Sequence, residues 1–148
     1  MLKEDTVLTT PIIHYQVNKD ISDGQLRPLY ESVGWISYTD QLEDLSLLLS
    51  GSHLVISAWA DNELVGLIRT IGDGVSIEYV QDLLVHPTYQ HQGIGTTLLS
   101  RVKELSTQVR QFLLITDNSS DNQRTIEWYR QQGLVPVAEA NIIALWRK

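Results

Sequence analysis

The sequence contains no cysteine. That excludes disulfides, a thiolate nucleophile, iron–sulfur ligation and zinc sites built on cysteine. Basic residues are also scarce: 11 Lys and Arg against 18 Asp and Glu leave a formal net charge of -7. A protein that binds nucleic acid by neutralising phosphates leans the other way, so no nucleic-acid partner is expected. No apolar run approaches the ~20 residues of a membrane span, and no membrane association is expected. The stretch MLKEDTVLTTPIIHYQVNKD lacks the apolar segment of an export signal. Together with the missing disulfides, this predicts a cytoplasmic location. The four histidines, His14, His53, His86 and His91, show no metal-ligand spacing, and no metal is expected.

What is present reads as one domain over residues 1–148, with 43% hydrophobic residues and enough length to bury a core. Ile12–Val17 predicts a strand. Residues 20–33 carry Ile21, Leu26, Leu29, Tyr30 and Val33 at helical spacing. Ser22 or Asp23 is the N-cap there, and Pro28 lies in the first turns or kinks the helix. Residues 39–50 predict one further helix, with Leu42, Leu45, Leu48 and Leu49 as its apolar stripe. Three strands follow: Leu54–Ala60, Leu64–Ile71 and Val75–Val85, joined by turns at Asp61-Asn62 and Gly72-Asp73-Gly74. Alternation breaks down in VQDLLV, which signals a bulge or increasing burial.

A helix after Gly95 presents Leu98, Leu99, Val102, Leu105 and Val109 on one face. Phe112–Ile115 is a short strand, Asn122–Gln132 a helix closed by Gly133, and Val135–Val137 a loop or strand. Ile142–Trp146 reads as a closing strand. The order β-α-α-β-β-β-α-β-α-β is that of an α/β or α+β domain.

The segment VQDLLVHPTYQHQGIGTTLL, residues 80–99, has the form strand, turn, glycine pair, helix. Gly93 and Gly95 let the backbone turn tightly and approach a ligand. The unpaired N–H groups of the following helix suit a phosphate. A dinucleotide fingerprint would need a third glycine where Leu98 stands, and the nucleotide-triphosphate loop needs Gly-Lys-Ser/Thr, which is absent.

This segment resembles motif A of the GNAT superfamily of N-acetyltransferases, in which Gln/Arg-x-x-Gly-x-Gly/Ala binds the pyrophosphate of acetyl-coenzyme A. Gln90, Gly93 and Gly95 fall on its defining positions. Near residue 130, NQRTIEWYRQQGL resembles a second family segment, with Trp128, Tyr129 and Gly133 on its aromatic and glycine positions and Leu134 in place of phenylalanine. The likeness is to a small single-domain, bacterial-type enzyme. It implies a mixed, mostly antiparallel sheet of six to seven strands, about four flanking helices, and a cofactor cleft where the fourth and fifth strands splay apart.

The resemblance also implies roles. Acetyl-coenzyme A is the cosubstrate, bound by the backbone of Leu83, Leu84 and Val85, by Gln90, by the turn of His91, Gln92, Gly93, Ile94, Gly95 and Thr96, and by Asn122. The N–H at Leu84 or nearby polarises the thioester carbonyl. Tyr129 is the general acid, since a phenol stays protonated near neutrality. Glu78 and Asp82 are the candidate bases and share a strand face unless a bulge intervenes. The preferred assignment makes Glu78 the base, directly or through water, and Asp82 the substrate-orienting group. Trp35 and Tyr38 form an apolar wall for the acceptor or anchor the core.

The expected acceptor is a small-molecule primary amine. A protein lysine or N-terminal amine, or a non-catalytic module that binds the coenzyme, are the competing readings. A homodimer is a further expectation, with the terminal apolar strand and Trp146 as an interface or as core.

Overall fold

The computed structural model describes residues 10–148, so residues 1–9 of the stretch read for an export signal lie outside the described residues. The chain divides into two compact units, one extending to Phe112 and the other covering Leu113–Lys148. Each is described by itself.

The first unit is organised by a meander. Strands β1 (Ile13–Val17), β2 (Val55–Ala60), β3 (Glu63–Gly72) and β4 (Ile77–Val85) pair antiparallel in chain order. β5 (Gln111–Leu114) follows β4 in the sheet, and the N–H of Gln111 donates to the Ser76 carbonyl at 2.9 Å. Five strands therefore replace the expected six to seven among the described residues. Asp61, at φ 51, turns β2 into β3 as its position predicts.

Directly paired residues share a sheet face. One face carries Val55, Trp59, Leu64, Leu67 and Leu84, which join Leu26, Leu29, Tyr30, Leu45 and Leu49 in a buried cluster. The other carries Ile56, Ala58, Ile68 and Val80, all buried. Helix α4 (Ile94–Leu105) presents buried Ile94, Leu98, Leu99 and Val102, and contacts β2, β3 and β4. Ile94 and Leu98 approach so closely that a Cβ added at Gly66 would stand 3.0 and 3.2 Å from them. The helix stops short of the expected stripe: Leu105 is exposed and Val109 lies beyond the helix end.

Helix α1 (Asp23–Ser32) starts at Ser22, whose backbone N–H donates to the Gln25 side-chain oxygen at 3.3 Å. Pro28 lies inside it. It ends with Gly34 N–H bonded to the Glu31 carbonyl and Trp35 N–H to that of Tyr30, at 3.0 and 3.1 Å.

The single helix expected over residues 39–50 is instead two, α2 (Ile36–Gln41) and α3 (Ser46–Ser50). Polar side chains break it. Arg27, paired bidentately with Asp23, donates to the carbonyls of Thr39 and Leu42 at 2.8 and 2.9 Å. Asp23 in turn accepts the N–H of Leu45 at 2.7 Å, and Asp44 caps Ser46. These partners satisfy the backbone groups freed where Leu42 turns extended.

The second unit holds helix α5 (Gln123–Gln131) and a 3-10 turn at Val137–Ala140. Neither Val135–Val137 nor Ile142–Trp146 forms a strand, contrary to the reading of the latter as a closing strand.

Arg69 and Asp82 form a buried ion pair, at 5% and 3% exposure. Removing one partner of such a pair costs about 3–5 kcal/mol, because the other charge stays buried alone. Arg69→Met is expected to lose about that much in urea unfolding; an unchanged midpoint would show the pair to be dispensable.

Candidate active site

A β-bulge in β4 sets the geometry. Arg69 of β3 pairs with Asp82 while the next residue, Thr70, pairs with Val80, so Gln81 is extra. One inserted residue reverses which face each later side chain takes. Asp82 and Leu84 therefore lie on the α1 side of the sheet, and Glu78 and Val80 on the α4 side. The bulge anticipated in VQDLLV is present, and it separates the two candidate carboxylates.

Asp82 is fully engaged. Its Oδ2 accepts from the Tyr30 hydroxyl at 2.8 Å and from Arg69 Nε, and its Oδ1 accepts from the Tyr38 hydroxyl at 3.2 Å. Arg69 Nη2 and Gln81 Nε2 both donate to the Tyr38 oxygen, each at 3.2 Å. The Arg69 guanidinium also lies 5.7 Å from the centre of the Tyr38 ring. Tyr30 meets Tyr38 edge-on at 5.5 Å and Trp35 at 6.1 Å between ring centres. Burial, reinforced by the Asp82 charge, pushes the Tyr30 phenol far above its ordinary value. Burial alone would lower Arg69, but Asp82 more than offsets it and the net shift is upward. Trp35 and Tyr38 are thus drawn to Asp82 and not to Glu78.

Glu78 has no exposed surface and accepts from His53, whose Nδ1 lies 2.9 and 2.8 Å from its two oxygens. The His53 side chain is 35% exposed, so it forms the solvent-facing end of the pair. Its backbone is held at the β3 end, with His53 N–H donating to the Thr70 carbonyl at 2.7 Å. Sequence reasoning noted His53 only for its lack of metal spacing. The two residues are 25 positions apart, and only the sheet register brings them together.

Asp73 shapes the turn beside them. Its carboxylate accepts from the N–H groups of Val75, Ser76 and Ile77 and from the Ser76 hydroxyl at 2.6–3.1 Å. The Ser76 hydroxyl and these backbone donors hold its carboxyl well below the usual range.

Past β4, a 3-10 turn at Pro87–Tyr89 leads to Gly93, which caps α4 at φ 84. A side chain there would meet nothing within 4 Å, so the left-handed backbone and not lack of space demands glycine. His91 is also left-handed, at φ 63. The first-turn N–H groups of Ile94 and Gly95 have no acceptor within the helix. Gln90 turns inward: its Nε2 donates to the Val85 carbonyl at 3.0 Å and braces the turn.

The ladder fixes which backbone groups of β4 face away from β3. His86 N–H donates to the Val65 carbonyl at 2.8 Å. Alternation in an antiparallel pair then turns Leu84 toward β3 and leaves the N–H and carbonyl of Leu83 and Val85 pointing outward. The expected carbonyl-polarising N–H therefore moves from Leu84 to its neighbour Leu83.

In the second unit, Asn122 braces the loop before α5, its Nδ2 donating to Thr116 Oγ1 at 3.0 Å and to the Asp117 carbonyl at 2.5 Å. Tyr129 is half-buried on α5, with the Trp128 ring 4.9 Å away. Burial pushes its phenol up to about 12.

Residues 19–134 match the model of the Acetyltransferase (GNAT) family. The chain is 27% identical over 127 residues to the uncharacterized N-acetyltransferase ycf52 of Pyropia yezoensis, covering 83% of this chain and 70% of that protein. A ycf52-like N-acetyltransferase of Prochlorococcus marinus is 28% identical, covering 82% and 67%. Among solved structures, a GNAT-family acetyltransferase from Streptococcus pneumoniae TIGR4 superposes with a TM-score of 0.79 at 29% identity, over 93% of this chain and 98% of that one.

Gly74 tests the packing behind Glu78. It sits at φ 73, and a Cβ there would stand 2.8 Å from His53 Nε2. Gly74→Ala is expected to cost about 1–3 kcal/mol of stability through backbone strain and displacement of His53. An unchanged urea midpoint would show that His53 is not held in place by this turn.

Proposed function

Because the chain belongs to the GNAT acetyltransferase family, we propose that it transfers the acetyl group of acetyl-coenzyme A directly to a primary amine of a small molecule. The observation that carries this reading is the pairing of an open, glycine-capped helix start with outward backbone on the strand before it. Bound there, acetyl-coenzyme A supplies an activated acetyl thioester. The N–H groups of Gln92, Gly93, Ile94 and Gly95 receive its pyrophosphate, helped by the positive end of α4. Leu83 and Val85 offer main-chain partners to the pantetheine amides, as an added strand would. The N–H of Leu83 aims at the thioester oxygen, where negative charge develops.

The amine nitrogen forms a bond to the acetyl carbon as the carbon–sulfur bond breaks. Tyr129 donates its proton to the departing sulfur. Its raised value keeps the phenol protonated through neutral and mildly alkaline pH. The proton lost by the amine passes to Glu78 through His53 or an intervening water. Asp82 serves as a positioning residue, since its carboxylate is occupied by Tyr30, Tyr38 and Arg69. The aromatic group of Trp35, Tyr38 and Tyr30 supports a compact acceptor with an apolar body. The net charge of -7 favours a cationic one.

Two measurements test this reading. Calorimetric titration is expected to show binding of acetyl-coenzyme A and coenzyme A but not of ATP, and a screen of polyamines, arylalkylamines, amino sugars, amino acids and peptides to give turnover with a small amine. Turnover confined to peptides would overturn the small-molecule acceptor, and no binding of either coenzyme would overturn the whole reading. Tyr129→Phe is expected to lower kcat by about 100-fold or more while leaving coenzyme A affinity within twofold. In the parent protein no loss of activity from phenol ionisation should appear below about pH 10, two units under the raised value of about 12. Unchanged kcat in the variant, with chemistry rate-limiting, would remove Tyr129 from the mechanism.

A further inference from the structure

Residues 142–146, Ile-Ile-Ala-Leu-Trp, have the composition of a buried strand and form none. Ile142, Ile143, Leu145 and Trp146 are 53%, 77%, 87% and 83% exposed. Such an apolar stretch left in water marks a surface that another molecule covers. The segment is not simply loose. Arg130 of α5 grips Glu139 bidentately, at 2.6 and 3.1 Å, and so ties the preceding 3-10 turn to the helix. Asn141, at φ 57, then redirects the backbone, and Ile142 N–H donates to the Val137 carbonyl at 2.9 Å. Beyond that bond, residues 143–148 make no hydrogen bond among the described residues.

The same unit supplies the complementary feature. β5 is the last strand in the sheet order, so one of its edges has no paired strand among the described residues. Ile115, just past it, is 53% exposed. An open edge offers a row of backbone donors and acceptors to any strand that reaches it. The chain thus carries both an unpaired edge and an unpaired apolar arm, and does not join them to each other.

We propose that residues 142–146 form a strand on β5 of a second copy of this chain, reciprocally, so that two arms are exchanged about a two-fold axis. Reciprocal exchange closes the assembly, because each copy gives one arm and receives one. Main-chain bonds hold the arm to the edge, and its alternate side chains cover the apolar surface beside it. Three aliphatic side chains and a tryptophan per arm amount to on the order of 1,000 Å² for the pair, the size a specific interface requires. This assembly is independent of the acceptor and of the chemistry proposed above.

Light scattering after size exclusion is expected to give twice the 16.8 kDa chain mass. The double variant Leu145→Lys, Trp146→Lys should run as a monomer with unchanged far-ultraviolet circular dichroism. The absence of native cysteine allows a second test that does not depend on those variants folding. Chains carrying only Ile115→Cys are mixed with larger, tagged chains carrying only Ile143→Cys and treated with a short bismaleimide. The expected product is a cross-linked species of mixed size. A monomeric parent protein, a double variant that stays dimeric, or no mixed-size product would each overturn the exchange. So would efficient intramolecular cross-linking, in dilute monomer, of one chain carrying both cysteines.

Discussion

Arg69 and Asp82 meet across β3 and β4 in a place that water does not reach. Burying two charges is tolerable only when each is matched, and the residues around them are arranged to do that matching. Tyr30 from α1 and Tyr38 from α2 complete the coordination of Asp82, and Tyr38 takes a further bond from Gln81. One ion pair therefore ties two helices to two strands. Helix α2 buries none of its residues, so this polar anchorage, with Arg27 at its last carbonyls, sets where it sits. Trp35 and Tyr38 owe their positions to the same anchor.

The bulge at Gln81 gives that anchor a second consequence. Without it, Glu78 and Asp82 would stand on one face and repel each other while competing for the same partners. The extra residue turns Asp82 toward the tyrosines and Glu78 toward His53. It also fixes the phase of the backbone further on, which brings Leu83 and Val85 outward just before the glycine turn. A single insertion in β4 thus sorts a structural carboxylate from one that can take up a proton. It also sets the strand register from which the coenzyme-binding backbone projects.

Much of the fold was legible because its signals are local. Turn residues at Asp61, the apolar stripe of Leu98, Leu99 and Val102, and the strand–glycine–helix form around Gly93 each follow from a few neighbouring residues. The break between α2 and α3 was not legible, because it depends on Arg27 and Asp23 reaching across from another helix. The arm at Ile142–Trp146 reads as a strand from composition, but a strand also needs a neighbouring edge, and no local pattern says where that edge is. In the candidate site, the glycine turn and Tyr129 rest on motif positions visible in the sequence. The partnership of His53 with Glu78 and the outward direction of Leu83 depend on sheet register, which periodicity alone does not determine.

The account's central claim is the division of labour between the two carboxylates. The most direct measurement compares amine-dependent release of coenzyme A in Glu78→Gln and Asp82→Asn, with the Tm of each. The account predicts that Glu78→Gln keeps its Tm within a few degrees and loses about 100-fold or more in turnover. Asp82→Asn should lower Tm markedly, and its activity loss should follow its loss of fold. Full turnover in Glu78→Gln, with Asp82→Asn inactive at an unchanged Tm, would contradict it.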